Sequence, residues 1–568
     1  MVQGANILVN AGPGTGKTRV LTARIAWLLE QGTDAHDLLA ITFTNKAASE
    51  MAERMKVACP EGGVKITTFH SWAYDLLCKK RPLDRTPVVI TEDEQKRLFR
   101  EAAHSVGLKG DTRPLFQRLQ FLKQFFPIDL QDEAEDLRLA WQHYQNSLAA
   151  HNLYDFDDLI ISAIAILEEE RGRDSNFRPY RHILIDEFQD VSPAQYRLCQ
   201  LLAGPGCCIM AIGDPHQSIY GFRGSNPALM EKFMQDFSPC TRISLITAYR
   251  CGQNLLDAAR VVLREKSAPR LISANTIPGS ITFKQFKGPS QEATWIAKTI
   301  DRLSGGVSFE SLNQGSATGQ ELRSLSDIAI LFRINSLGEI LAKELAKMGI
   351  PYQVSPKSHH SSDENLNKIW HILELLEGHH VDYHSIMLSK EERKIVLSLS
   401  GHKKQALRTL EPVNLLDTLS EAFGLHLESV EKAFLERAIA SHRQGKPLSL
   451  ALKTEQDYLD FHVEAVSLLS LHASKGLEFP IVFIAGCEQD IIPLKDCDPR
   501  EERRLFYVGL TRASEQIFIT CTSERQLWGE RITVRPSQFI KEIDGFIEKE
   551  GKKPGVKRRK KVHQKKLF

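Results

Sequence analysis

The chain has 568 residues, length enough for several domains with large cores. Its apolar (42%) and charged (25%) fractions are those of an ordinary globular protein, and no run approaches ~18 consecutive apolar residues, so no membrane span is expected. Net charge is +2, but residues 551–568 hold nine Lys/Arg and no acid, leaving the other 550 with 64 basic against 71 acidic residues; a globally basic nucleic-acid surface is excluded, and such binding must use a local groove or the tail. The ten cysteines are scattered without metal-ligand spacing, and the N-terminus lacks a basic-then-apolar signal pattern, so reduced thiols in a cytosolic compartment are expected.

In chain order, residues 6–10 form a short apolar run that reads as a buried strand. Ala11, Gly12, Pro13, Gly14, Thr15, Gly16, Lys17, Thr18 and Arg19 follow, a phosphate-loop pattern that misses GxxxxGK[ST] only in its first position, Ala11 for Gly. Leu21, Ile25, Leu28 and Leu29 then repeat at helical spacing, so the loop sits where helix N–H groups and dipole favour phosphate. Residues 183–190, Ile-Leu-Ile-Asp-Glu-Phe-Gln-Asp, read as an apolar strand delivering Asp186 and Glu187 to its C-terminal tip. ATP hydrolysis needs both parts: N–H groups and a lysine on the phosphates, a hydroxyl and an aspartate on Mg²⁺, and a second carboxylate for the attacking water.

Further motifs come in a fixed order. They are Ile41-Thr-Phe43-Thr-Asn-Lys46, Thr67-Thr-Phe69-His70-Ser71, Asp155-Phe-Asp-Asp158, Gly213-Asp-Pro-His-Gln217-Ser-Ile-Tyr220-Gly-Phe222-Arg223-Gly, Ala248-Tyr249-Arg250, His472-Ala-Ser-Lys475-Gly-Leu-Glu478 and Tyr507-Val-Gly-Leu-Thr511-Arg512. The series, from residue 8 to about residue 513, closely resembles the UvrD/PcrA/Rep family of superfamily 1A DNA helicases. The resemblance implies an α/β fold of two RecA-like P-loop domains, parallel sheets flanked by helices, each with a mainly helical insertion, and ATP at their interface. It implies that Lys17 contacts the phosphates, that Thr18 and Asp186 hold Mg²⁺, that Glu187 activates water, that Gln217 senses the γ-phosphate, and that Arg250 and Arg512 are arginine fingers. Tyr249 resembles the adenine-stacking tyrosine and Glu478 a ribose contact. Phe43, Phe69, His70, Tyr220, Phe222, Arg223 and His472 resemble DNA contacts, and aromatic faces suit single strands because stacking tolerates any base. Phe43 and Phe69, at the ends of strand-like runs, have core packing as the competing reading. For Asp155, Asp157 and Asp158, a helix-capping cluster is as plausible as a family role.

Strand-like runs at 7–10, 39–43, 65–68, 183–186 and 208–213 predict one RecA-like sheet, and runs at 281–286, 328–332, 352–354, 468–472, 481–486 and 516–521 predict the second. The expected division is 1–87 and 156–275 for the first domain with a helical insertion over 88–155, then 276–355 and 463–548 for the second with a reduced helical insertion over 356–462, and a basic disordered tail over 549–568. The reduced insertion makes unwinding less secure than ATPase activity. The family's adenine-reading glutamine has no room in the ten residues before Ala11, so the start is truncated, another domain or chain completes the pocket, or nucleotide selectivity is relaxed.

The tail ends Gln564-Lys-Lys-Leu567-Phe568, which resembles short sliding-clamp-binding peptides; a plain basic tail and a nuclear-import signal compete with that reading. The leading expectation is an ATP-dependent 3′-to-5′ single-stranded-DNA translocase and helicase in DNA repair, replication or recombination. It would act on single strands and single/double-strand junctions, in the cytoplasm with the nucleoid, or in the nucleus if eukaryotic. The alternative is a translocase that strips proteins from DNA without efficient unwinding. A non-catalytic DNA-binding scaffold is opposed by the intact Lys17, Asp186, Glu187, Gln217 and Arg512.

Overall fold

A computed structural model describes residues 6–59, 63–80, 87–174, 179–265, 268–306, 322–354, 411–423, 435–436, 439, 464–527 and 530–548. The chain divides into two compact units, Met1–Tyr249 with Gln353–Ser467 and Arg250–Tyr352 with Leu468–Phe568.

The first unit is built on six strands: β1 (Asn6–Ala11), β2 (Leu38–Thr42), β3 (Lys65–Thr68), β6 (His182–Ile185), β7 (Cys208–Gly213) and β8 (Cys240–Leu245). They lie in the order β3-β2-β6-β7-β1-β8, and all five pairings among them are parallel. Side chains alternate between the two faces, as the period of two requires. Ile7, Val9, Leu38 and Ala40 enter one core with Leu21, Ile25 and Leu28 of α1 (Lys17–Glu30) and Met51 and Met55 of α2 (Asn45–Ala58). Leu8, Leu39 and Ile41 enter the other, with α3 (Phe69–Lys80), α7 (Phe156–Arg173), α8 (Pro193–Leu202) and α9 (Ala228–Asp236). Burial on both faces explains why these strands read as continuous apolar runs. β8 was not among the expected strands: it pairs only with β1, half of its residues are exposed and none is fully buried, and so it has no such run.

Two short strands, β4 (Val88–Val89) and β5 (Leu153–Tyr154), pair in parallel and close a helical segment. Between them α4 (Glu92–Ser105), α5 (Arg113–Lys123) and α6 (Glu135–Ala150) pack a separate core around Phe99, Phe116, Leu119 and Tyr144.

The second six-stranded sheet runs β11 (Ser280–Phe286), β16 (Ala513–Thr522), β15 (Phe479–Ile484), β12 (Ile328–Phe332), β14 (Val466–Ser470), β13 (Tyr352–Val354). Its β11–β16, β15–β16 and β12–β15 pairs are parallel. The model thus has the α/β class that the sequence pattern predicts, with two parallel sheets flanked by helices. Most of the expected insertion over 356–462 and the whole tail over 549–568 lie outside the described residues, apart from a helix at Pro412–Phe423.

The Asp155–Asp158 motif is a capping box: Asp158 N–H donates to Asp155 Oδ1 (2.9 Å) and Asp155 N–H to Asp158 Oδ2 (3.3 Å). Burial, reinforced by Asp155, pushes Asp157 up to about 7, and burial pushes Asp158 up to about 6. Both values lie above the ordinary 3.8, so their contribution to stability is full below that pH and is lost as pH rises through about 6–7. Asp157→Asn keeps an acceptor but cannot ionise. Its melting temperature should therefore fall by about 2–4 °C less than wild type between pH 5 and pH 8. Parallel pH profiles for the two proteins in thermal melts would contradict the assignment.

Candidate nucleotide and nucleic-acid sites

β1 ends at Ala11, residues 12–16 turn, and α1 begins at Lys17. Gly14 (φ 68°) and Gly16 (φ 86°) take left-handed conformations that a side chain would disfavour. Thr15 Oγ1 donates to Gly12 O at 2.8 Å and braces the turn. Gly16 caps α1 with no side-chain acceptor, and the first turn carries no acid, so the amides and the dipole there are suited to an anion. Lys17 Nζ donates to Ala11 O (3.4 Å) and stands 3.9 Å from Glu187 Oε1. Thr18 is half-buried beside it and Arg19 is exposed.

The carboxylates come from the end of β6. Asp186 is buried; its N–H donates to Ile41 O and its Oδ1 accepts from Glu187 N–H, both at 2.9 Å. Burial first, then the neighbouring Glu187, push Asp186 up to about 7 against the opposing charge of Lys17. Two adjacent carboxylates, one of them buried, with the Thr18 hydroxyl beside the loop, are oxygen donors of the kind that fit a divalent cation. Among the described residues no group of three or more His, Cys, Asp or Glu could hold a metal ion. Glu187 adopts φ 48°, ψ 41°, a conformation that costs a non-glycine residue on the order of 1–3 kcal/mol.

A residue outside the expected set holds Glu187 in place. Gln189 is fully buried, donates Nε2 to Glu187 Oε2, accepts Asp214 N–H on Oε1 (2.9 Å), and takes the Ser218 hydroxyl on its backbone carbonyl (3.1 Å). Gln217 Nε2 donates to Asp214 Oδ2 at 2.9 Å. One amide therefore ties the acidic pair to the 213–218 segment. The signal in the sequence was a lone glutamine after an apolar strand, which is hard to tell from a surface turn.

Beyond that segment lie the aromatic residues. Tyr220 stacks on Phe43 (5.8 Å between centroids, 11° between planes), and Phe222 meets Tyr220 edge-on at 6.1 Å. Arg223 lies 6.0 Å and 5.7 Å from those two ring centres. Phe222 is 59% exposed, a large apolar ring left facing solvent. His70 meets Phe156 edge-on at 5.9 Å. Phe69 departs from the expected DNA contacts: only 3% exposed, it sits in the core with Trp72 and Ile185 and presents no face for a base. Tyr249 is exposed, and its N–H donates to Gly14 O of the phosphate loop at 2.8 Å.

The remaining expected residues belong to the other unit. Arg250 pairs with Glu478, whose carboxylate is otherwise largely solvent-facing. Arg512 is 2% exposed and donates Nε to Val508 O (3.0 Å), Nη1 to Leu477 O (2.9 Å) and Nη2 to Thr511 Oγ1 (3.3 Å). In this state its guanidinium is held by its own unit. His472 is half-buried in the turn that follows β14.

Residues 2–238 match the UvrD/REP helicase N-terminal domain, and residues 243–395 and 389–524 match the UvrD-like helicase C-terminal domain. The chain belongs to the UvrD/REP helicase family. Similar proteins include the ATP-dependent DNA helicase PcrA of Staphylococcus epidermidis and that of Staphylococcus aureus, each 28% identical over 94% of this chain and 84% of the relative. Membership makes the chain an ATP-dependent DNA helicase, and the phosphate loop and carboxylate pair described above lie in its N-terminal matched domain.

Gly213 tests the amide tie. A Cβ there would lie 2.4 Å from Gln189 Oε1 and 3.1 Å from Gln189 N. Gly213→Ala should cost about 1–3 kcal/mol of stability and displace Glu187 through Gln189. Turnover should then fall on the order of tenfold to a hundredfold with little change in KM for ATP. Steady-state ATPase kinetics with unaltered kcat would show that Gln189 does not hold the carboxylate.

Proposed function

We propose that this UvrD/REP-family protein is a single-stranded-DNA translocase that moves 3′ to 5′ and unwinds duplex DNA, fuelled by ATP with Mg²⁺. Family membership makes it an ATP-dependent DNA helicase; the direction of travel and the role in repair, replication or recombination are the proposal. The observation that carries the reading is the Gln189 amide, which joins the carboxylate beside Lys17 to the segment leading into the exposed aromatics. The Glu187 carboxylate and the exposed Phe222 ring are thereby linked through residues 187–222.

On this reading the residues 11–19 loop and Lys17 hold the phosphates, Thr18 and Asp186 hold Mg²⁺, and Glu187 takes a proton from the attacking water. Gln217 senses the γ-phosphate, Arg250 and Arg512 supply positive charge to the transition state, Tyr249 stacks on the base, and Glu478 contacts the ribose. For Arg512 this requires release of at least one of the bonds its guanidinium makes here. Phe43, His70, Tyr220, Phe222, Arg223 and His472 are the proposed strand contacts; Phe69 is not among them. Among the described residues no helix is long and apolar enough to cross a membrane, in keeping with the proposed cytoplasmic, DNA-associated site of action.

Duplexes with a 3′ or a 5′ single-stranded tail test the reading. The 3′-tailed duplex should be opened with ATP and the 5′-tailed one should not. Glu187→Gln should bind ATP and the tail yet open neither, and Phe222→Ala should weaken tail binding by ~1–3 kcal/mol. Opening of the 5′-tailed duplex alone would reverse the polarity. Hydrolysis with no opening of either, together with eviction of a protein roadblock from the strand, would favour the protein-stripping translocase instead.

A sliding clamp is the proposed protein partner, through Gln564, Leu567 and Phe568, with two apolar anchors and one hydrogen-bonding amide. These residues lie outside those described. A peptide of residues 555–568 should bind the clamp of the same cell, and Leu567→Ala with Phe568→Ala should abolish that binding. An unmodified peptide with no affinity would leave only the electrostatic role of the basic run.

A further inference from the structure

The C-terminal end of α5 joins three parts of the first unit that are distant in sequence. Lys123 is fully buried, and its Nζ donates to Asp155 and, at 2.7 Å, to Asp158 at the start of α7. Asp155 Oδ2 also accepts from Gln95 Nε2 and Tyr144 Oη, both at 2.9 Å, so α4, α5 and α6 converge on one carboxylate. Burial works against the Lys123 charge, but Asp155 and Asp158 hold its titration above the ordinary lysine value. A buried ammonium with these partners fixes where the inserted helices sit on α7, because removing either side would strand a charge away from water.

Gln124, the next residue, faces the aromatic segment. Its Nε2 donates to Asp157 Oδ1 at 2.8 Å, and its backbone carbonyl accepts Ala194 N–H, from the first turn of α8, at 2.9 Å. On another side it meets Gly224, where a Cβ would lie 2.4 Å from Gln124 Cβ. Gly224 has φ 78° and ends the short turn that carries Phe222 and Arg223; its N–H donates to Gly221 O at 2.9 Å. That turn is therefore seated on Gln124, whose side chain is held by Asp157.

We propose that Gln124, held by Asp157 on the Lys123 anchor, is a positioning residue for strand engagement: it sets the seat of residues 220–224, and through them the height at which Phe222 and Arg223 meet the strand. This rests on the reading of Phe222 as a strand contact. Gln124 is not among the residues assigned to nucleotide or Mg²⁺, so its loss should act on strand binding alone.

The test is ATPase activity of the full chain titrated with an oligothymidylate. Gln124→Ala and Asp157→Ala should each raise the half-stimulating DNA concentration about tenfold, the order expected for a lost hydrogen bond to a carboxylate. Basal turnover and the rate at saturating DNA should stay near wild type. The double variant should be no worse than either single one, because both remove the same contact. Asp157→Asn, which keeps an acceptor for Gln124, should behave as wild type. If Phe222→Ala leaves the half-stimulating concentration unchanged, the strand-contact reading fails. If Phe222→Ala raises it but Gln124→Ala and Asp157→Ala do not, or if they lower the saturated rate instead, the positioning role of Gln124 is refuted.

Discussion

Parallel pairing of β1 with β7, β7 with β6 and β6 with β2 is the constraint from which the site follows. Parallel strands end on the same edge. With Asn10 level with Gly213 and Ile185 with Ala211, the phosphate loop, the acidic pair and Asp214 all leave that edge together. Open α/β sheets bind ligands beyond the carboxyl ends of their strands for this reason. Helix packing on both faces keeps the sheet dry, so the backbone that carries Lys17, Asp186 and Asp214 is rigid.

On that frame the site is held short of its own electrostatic optimum. Asp186 is buried next to a second carboxylate, Glu187 sits in a left-handed conformation, and one lysine faces both. The buried carboxylate pair and the left-handed Glu187 each cost stability, and Lys17 offsets part of the charge repulsion. The cost is accommodated because Gln189 fixes the geometry with a buried side chain that donates to Glu187 and Asp190 and accepts from Asp214 N–H. The same amide passes the position of Glu187 into the 213–218 segment, and from there the chain reaches the exposed ring of Phe222.

Much of this was readable in the sequence, for physical reasons that differ by residue. Buried parallel strands produce apolar runs, so β1, β2, β3, β6 and β7 stood out, whereas the half-exposed edge strand β8 did not. The glycines and lysine of the phosphate loop are required by backbone shape and charge, and so are local in the chain. Gln189 and Gln124 were missed because what they do depends on partners 25 and 33 residues away or more, and a single glutamine carries no pattern. Phe69 and Phe222 look alike as letters; only packing separates a core ring from an exposed one. The reciprocal Asp155–Asp158 bonds make that motif a helix cap, and its buried Lys123 partner sits on another helix that spacing could not indicate.

The central claim is that nucleotide turnover and strand contact are one coupled machine in this chain. ATP hydrolysis measured with and without single-stranded oligothymidylate, on the wild-type protein and on Gln189→Ala, tests it most directly. The account predicts strong stimulation by the strand in the wild type, and in Gln189→Ala a retained affinity for the strand with stimulation lost. Hydrolysis indifferent to the strand in the wild type, or full stimulation in Gln189→Ala, would contradict it.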